Sequence, residues 1–284
     1  GNVARLGESV RLGKGGARDV AFSPGGRGLA VASNTGVYLY DAANFEQPPR
    51  VIRTQYTPTA LAYADNGLTL AVSDSRGAVH IIDSLDGTER MTFNGHVEYV
   101  TDVAFSPNGE LLATVGFDLA LIVWRMEDGE AALRINAPAP LTSVAFSPDG
   151  TRVAAGATDS TAHVWEVETG ADLLLLAGHT ATVIDVAYSP DGSLIATAGL
   201  DNSARLWSAR TGVELHNYNV QLDWVQSIAF TPDGARLATG SQDTTVRLWD
   251  TATYAEIAAY RGFGAGPLDM AFNADSTLLA TAAL

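Results

Sequence analysis

Across residues 185–218 the alternation of apolar and polar positions resolves into four short runs separated by turn residues. DVAYS (185–189) alternates with the two-residue period of a strand. SPDG follows as a reversal in which Pro190 presets φ and Asp191 with Gly192 favours a tight turn. SLIATAG (193–199) predicts a second strand and Asp201-Asn202 a second turn. SARLW (203–207) predicts a third strand, SARTG a third turn, and VELHNY (213–218) a fourth strand. No stretch holds a 3.6-residue apolar period of useful length, so helices are not expected.

The same phrase recurs along the whole chain. DVAFSPGG (19–26), ALAYADNG (60–67), DVAFSPNG (102–109), SVAFSPDG (143–150), DVAYSPDG (185–192), SIAFTPDG (227–234) and DMAFNADS (269–276) are seven variants of it. Their central alanines, Ala21, Ala62, Ala104, Ala145, Ala187, Ala229 and Ala271, stand 41 or 42 residues apart. Four short strands per unit at that pitch predict a propeller blade. The fold expected is an all-β, seven-bladed propeller with four-stranded antiparallel blades, occupying residues 1–284 as one domain. The last unit stops two strands in, at Leu284, and the opening GNVARL continues it as DNSARL (201–206) continues TAGL (197–200). Residues 1–13 are therefore expected to complete the blade begun by 266–284, closing the ring and removing its open edges.

Composition narrows the functional classes. Seventeen basic residues against 32 acidic ones, a formal charge of −15, repel phosphate backbones, so no nucleic-acid partner is expected. With no cysteine there is no disulfide framework, thiolate zinc cluster or thiolate nucleophile, and the compartment stays open. No run of 18 apolar residues offers a membrane-spanning helix, so no membrane insertion is expected. A chain beginning at Gly1 rather than Met reads as a processed product or excised domain, a module of a larger polypeptide. The Asp-Gly turns at 149–150, 191–192 and 233–234 lie one repeat apart rather than converging as a calcium loop would, and His80, His163 and His216 are isolated. Neither a metal site nor a phosphate-binding glycine loop is expected, and no cofactor is assigned.

Gly95-His96, Gly178-His179 and the strand endings ALIVW (120–124), AHVW (162–165), ARLW (204–207) and VRLWD (246–250) give the chain its family likeness. It resembles the WD-repeat β-propeller family over essentially its whole length. Two units are degenerate, with Tyr40 and Ile82 where the tryptophan would stand. His96, Thr114, Asp118 and Trp124 recur at the same offsets as His179, Thr197, Asp201 and Trp207. A nucleophile, base and carboxylate could be imagined there, but an active site is needed once, and the resemblance implies structural hydrogen-bond tetrads.

The resemblance also implies an upper face, carrying the loops between units and the second-to-third strand turns. There family members usually bind partners at the start of each first strand and just before the turn aspartate. The corresponding residues here are Arg18, Thr59, Ser75, Tyr99, Thr101, Phe117, Pro140, Thr142 and Thr158, then Ile184, Leu200, Trp224, Gln226, Gln242 and Leu268. The set is almost uncharged and bears aromatics, whereas acidic residues collect on the opposite face and rim. The function expected is a non-catalytic scaffold or sensor holding a protein or peptide through that upper face. The alternative is a propeller enzyme, hydrolase- or dehydrogenase-like, with a site near the central channel. Asp19, Asp102, Asp185 and Asp269 stand at strand starts in four of the seven units, a recurrence that reads as architecture, and a cluster of perturbed pKa values near the axis would favour the enzyme.

Overall fold

In the computed structural model, which describes residues 16–219, 221–261 and 263–283, the unit at 183–218 is a four-stranded antiparallel sheet. Val183–Tyr188, Leu194–Gly199, Ala204–Ser208 and Glu214–Tyr218 lie side by side in chain order. The SPDG reversal is closed by side chains as well as backbone. The Leu194 N–H donates to Ser189 Oγ at 2.9 Å, and that hydroxyl donates to Asp191 Oδ1. Gly192 takes a left-handed φ of 71°, which costs a glycine nothing. Ser106, Ser147 and Thr231 accept the corresponding N–H groups of Leu111, Arg152 and Arg236, so one turn design is reused.

Six such sheets follow one another, each with its four strands in sequence order. Their innermost strands are Ala17–Phe22, Pro58–Tyr63, Val100–Phe105, Leu141–Phe146, Val183–Tyr188 and Val225–Phe230. The protein is thus an all-β propeller of four-stranded blades, without helices among the described residues. The sequence predicts seven four-stranded blades and six are found among the described residues. After the sixth blade the seventh repeat shows two strands among the described residues, Asp269–Phe272 and Leu279–Ala282, which pair as a two-stranded sheet. The strands expected from residues 1–13 lie outside the described residues.

The core is distributed between sheets. Val115, Leu121 and Val123 of the third blade pack with Phe146, Val153 and Trp165 of the fourth. Ala196, Ala198 and Leu206 of the fifth pack with Ile228, Leu237 and Trp249 of the sixth. Each fully buried leucine or isoleucine here contributes about 1.5–3 kcal/mol. The two-stranded sheet sits between the sixth and first blades: Met270 packs with Ala238, Val246 and Leu248, and Ala282 with Val20, Leu29 and Tyr40.

Candidate functional site

Antiparallel order places two sets of loops at one end of the sheets: those joining each fourth strand to the next blade, and the turns between second and third strands. Two of these junctions are fixed by identical hydrogen-bond chains. Trp124 Nε1 donates to Thr114 Oγ1 at 2.9 Å, Thr114 lies 2.8 Å from His96 Nε2, and His96 Nδ1 lies 2.8 Å from Asp118. In the fifth blade Trp207 donates to Thr197 at 2.9 Å, Thr197 meets His179 Nε2 at 2.8 Å, and Nδ1 meets Asp201 at 3.0 Å.

Burial alone would raise the Asp201 carboxyl. Hydrogen bonds from His179, Ser203 and the Thr180 N–H outweigh it and hold the group well below the usual carboxylate range. Asp118 is likewise lowered against its burial by the bonds from His96 and the Val97 N–H. Burial pushes the His96 imidazole down, more than Asp118 raises it. An ionised aspartate fixes the proton on Nδ1, so Nε2 accepts from the threonine hydroxyl, which in turn accepts from tryptophan. Every polar atom of the chain is engaged inside the blade, which leaves no nucleophile to offer a substrate.

A third junction uses a residue the repeat phrase does not reveal. Gln221 takes the histidine's place: its Nε2 donates to Thr239 Oγ1 at 3.0 Å, beside the Trp249 donation at 3.0 Å. Its Oε1 is buried without a partner among the described residues. A histidine there would accept from the Thr239 hydroxyl and donate to Asp243. Gln221→His is therefore expected to stabilise the protein by about 1 kcal/mol, read as a rise of a few degrees in the melting temperature; a fall would contradict the assignment.

The same aspartates pin the residue that follows the histidine or glutamine. Their carboxylates accept the N–H groups of Val97 at 3.1 Å, Thr180 at 3.0 Å and Leu222 at 3.0 Å. The side chains so held point to water: Val97 is 81% and Leu222 83% exposed. Neither was picked out from sequence, although both occupy the position after the recurring loop residue.

Of the residues predicted for the upper face, Arg18, Ser75, Phe117, Trp224 and Gln242 are exposed, and Trp224 and Phe117 at 47% and 44%. Tyr99, half-buried, leans on Phe117 with ring centroids 5.8 Å apart. Pro140, Thr158, Leu200 and Leu268 are half-buried. The first-strand positions behave differently. In five first strands the pairing register skips one residue, and the skipped residues are Arg18, Thr101, Thr142, Ile184 and Gln226. Such a bulge re-aims the side chain. Thr101 and Thr142 use it to donate to Leu141 and Val183 carbonyls of the next blade at 2.9 and 2.6 Å, and buried Thr59 reaches Val100 at 2.9 Å. These three hydroxyls join neighbouring blades rather than facing outward. Gln226 turns its Oε1 inward as well.

The inner rim one residue further on carries the carboxylates. Asp19 accepts the Leu61 N–H at 2.6 Å, Asp102 that of Val144 at 2.8 Å, Asp185 that of Ile228 at 2.8 Å, and Asp269 that of Val20 at 2.9 Å. Desolvation raises all four; Asp102 is pushed up to about 7 and Asp185 to about 8. A cluster of shifted carboxyls is thus present, but each carries a backbone N–H of the following blade and so braces the ring. Among the described residues no three His, Asp or Glu side chains are placed to hold a metal ion, and no helix is long and apolar enough to cross a membrane.

Comparison with known proteins gives the lineage. The model of the WD domain, G-beta repeat, matches residues 87–125, 133–166, 170–208 and 212–250, more than half of the chain. WD repeat-containing protein 1 of Rattus norvegicus and of Gallus gallus are each 32% identical to it over 120 residues, 41% of this chain and 20% of the relative. WD repeat-containing protein SL1-17 of Schistosoma mansoni is 32% identical over 115 residues, 40% of this chain and 38% of that protein. The match therefore spans about a fifth of the length of the first two relatives and under two fifths of the third. With four repeats matched over more than half of the chain, and the tryptophan–threonine–histidine–aspartate chain present in its third and fifth blades, this protein belongs to the WD40 repeat family.

Proposed function

We propose that the chain is a non-catalytic scaffold or sensor module that holds a protein or peptide partner on the loop-bearing end of the propeller. WD-repeat proteins generally act as protein-interaction scaffolds, and the charge of −15 disfavours nucleic acid as the partner. The observation that carries the choice of end is the exposure there of large apolar side chains held on rigid loops. Val97, Phe117 and Leu119 stand out on the third blade, and Leu222 with Trp224 on the sixth. Side chains this apolar and this exposed, fixed by bonded backbone, are the usual anchors of an interface. Arg18 and Gln242 supply exposed polar groups around them.

A photoreactive residue placed at Leu222 should crosslink the partner, while the same residue at exposed Leu85, at the opposite end, should not. Trp224→Ala should weaken binding of the captured partner by at least about 2 kcal/mol without lowering the melting temperature. Equal crosslinking from both ends, or undiminished binding by the variant, would reject this face. The ring itself, on this reading, is completed by residues 1–13 as the outer strands beside Leu279–Ala282.

A further inference from the structure

The position occupied by Asp19 recurs on each inner strand, and around the rim it reads Asp19, Ala60, Asp102, Ser143, Asp185, Ser227 and Asp269. Carboxylates therefore alternate with small or hydroxyl residues until the ring meets itself. Seven is odd, so the last and first members, Asp269 and Asp19, fall side by side.

The hydrogen bonds show what adjacency means here. Each aspartate accepts the N–H one residue beyond its counterpart in the next blade, which brings it against that counterpart's side chain. Asp19 thus lies toward Ala60, and Asp102 toward Ser143, whose hydroxyl itself donates to Asp185 at 3.0 Å. At the last junction Asp269 accepts the Val20 N–H at 2.9 Å, and the counterpart it meets is Asp19. That places the two carboxyls side by side, and Asp269 raises the Asp19 carboxyl beyond what burial does. Two ionised carboxylates hold no donor between them, so they can bond to each other only while the pair retains a proton. Among the described residues the rest of the closure between blade one and the two-stranded sheet is a backbone bond, Ala17 N–H to Ala283 O at 3.0 Å, and the packing of Ala271, Ala280 and Ala282 with Val20, Phe22, Leu29 and Tyr40.

We propose that Asp19 and Asp269 form a proton-held clasp that closes the ring between its last and first inner strands, loosening when the shared proton is lost. The groups that face the pair reinforce it. Asp102 and Asp185 look in from the same rim and add negative potential. The strands packed on either side, Gly28–Ser33, Pro58–Tyr63, Val225–Phe230 and Leu279–Ala282, carry Tyr63 as their single titratable group. Arg18, the neighbouring cation, is exposed. Both carboxyls are raised by desolvation relative to the unfolded chain. Their contribution is then complete at acid pH, below the unfolded value, and is lost as pH rises through the folded one.

Amide exchange, corrected for its intrinsic pH dependence, reads the clasp directly. Between about pH 5 and 8, where the rest of a fold is usually most stable, protection at Ala17 and Val20 should fall by about tenfold or more. The Val144 amide, held by Asp102 opposite Ser143, should lose less. Asp19→Asn supplies a permanent donor, and Asp19→Ser copies the junction at Ser143; either should flatten the pH dependence at Val20. Protection at Val20 that stays level with pH in the unmodified protein overturns the clasp without any variant. A dependence that persists in a folded Asp19→Asn or Asp19→Ser protein overturns it equally.

Discussion

Thr197→Val is expected to lower stability by about 2–5 kcal/mol, although it exchanges one small side chain for another of the same shape. The hydroxyl accepts from Trp207 Nε1 and faces His179 Nε2, and Thr197, Trp207 and His179 are all withdrawn from water. A methyl in its place strands a buried indole donor and a buried imidazole acceptor together, each at about 1–3 kcal/mol. Blade five then loses the link from its third strand through its second to the loop that precedes it. Calorimetry should record a drop on the order of 5–10 °C. Thr180→Val provides the contrast: it lies in the same loop, is exposed, and anchors through its backbone N–H rather than its hydroxyl. That change should stay within about 0.5 kcal/mol. Equal effects of the two substitutions would mean that the buried chain contributes nothing beyond packing.

Much of this architecture was legible because turn chemistry punctuates every repeat. Ser189, Pro190, Asp191 and Gly192 mark a reversal through φ preference and local side-chain bonds, which depend on neighbouring residues alone. Strand positions follow from the turns, so the four strands of the fifth blade could be located to within a residue or two. Gln221 was overlooked although its place is readable from register: it precedes Thr239 by 18 residues, as His96 precedes Thr114 and His179 precedes Thr197. The change of residue type hid it, because a lone glutamine in a loop carries no signal until its amide is found on the threonine hydroxyl. Thr101 and Thr142 were read as outward-facing because they begin first strands. The register skip that turns them toward Leu141 and Val183 is a property of how adjacent sheets are spaced, which one strand's pattern does not encode. The exposed Val97 and Leu222 escaped notice for the opposite reason: a single apolar residue in a loop is commonplace. It becomes informative only once an aspartate is found holding its backbone.

The largest loss of stability is expected from deleting residues 1–12. In the second to sixth blades the second strand is buried along nearly its length; Ile195, Ala196, Thr197 and Ala198 are all inaccessible. The corresponding strand of the two-stranded sheet, Leu279–Ala282, keeps only Ala282 fully buried, while Leu279, Ala280 and Thr281 are half-buried. Its outer edge is where the register of GNVARL after TAAL would place a third strand. On that reading residues 1–12 both cover these side chains and pair a row of N–H and C=O groups that would otherwise invite edge-to-edge association. Uncovering a leucine and its neighbours costs roughly 3–6 kcal/mol at about 25 cal/mol per Å². The weakened sheet lies between the first and sixth blades, so the loss should spread through the ring as one transition. Calorimetry of the truncated protein should show melting lower by about 10 °C or more, with concentration-dependent association in sedimentation. Adding a synthetic peptide of residues 1–12 should restore most of the melting temperature. A truncated protein that melts with the intact one, or a peptide without effect on a destabilised one, would remove these residues from the closure of the ring.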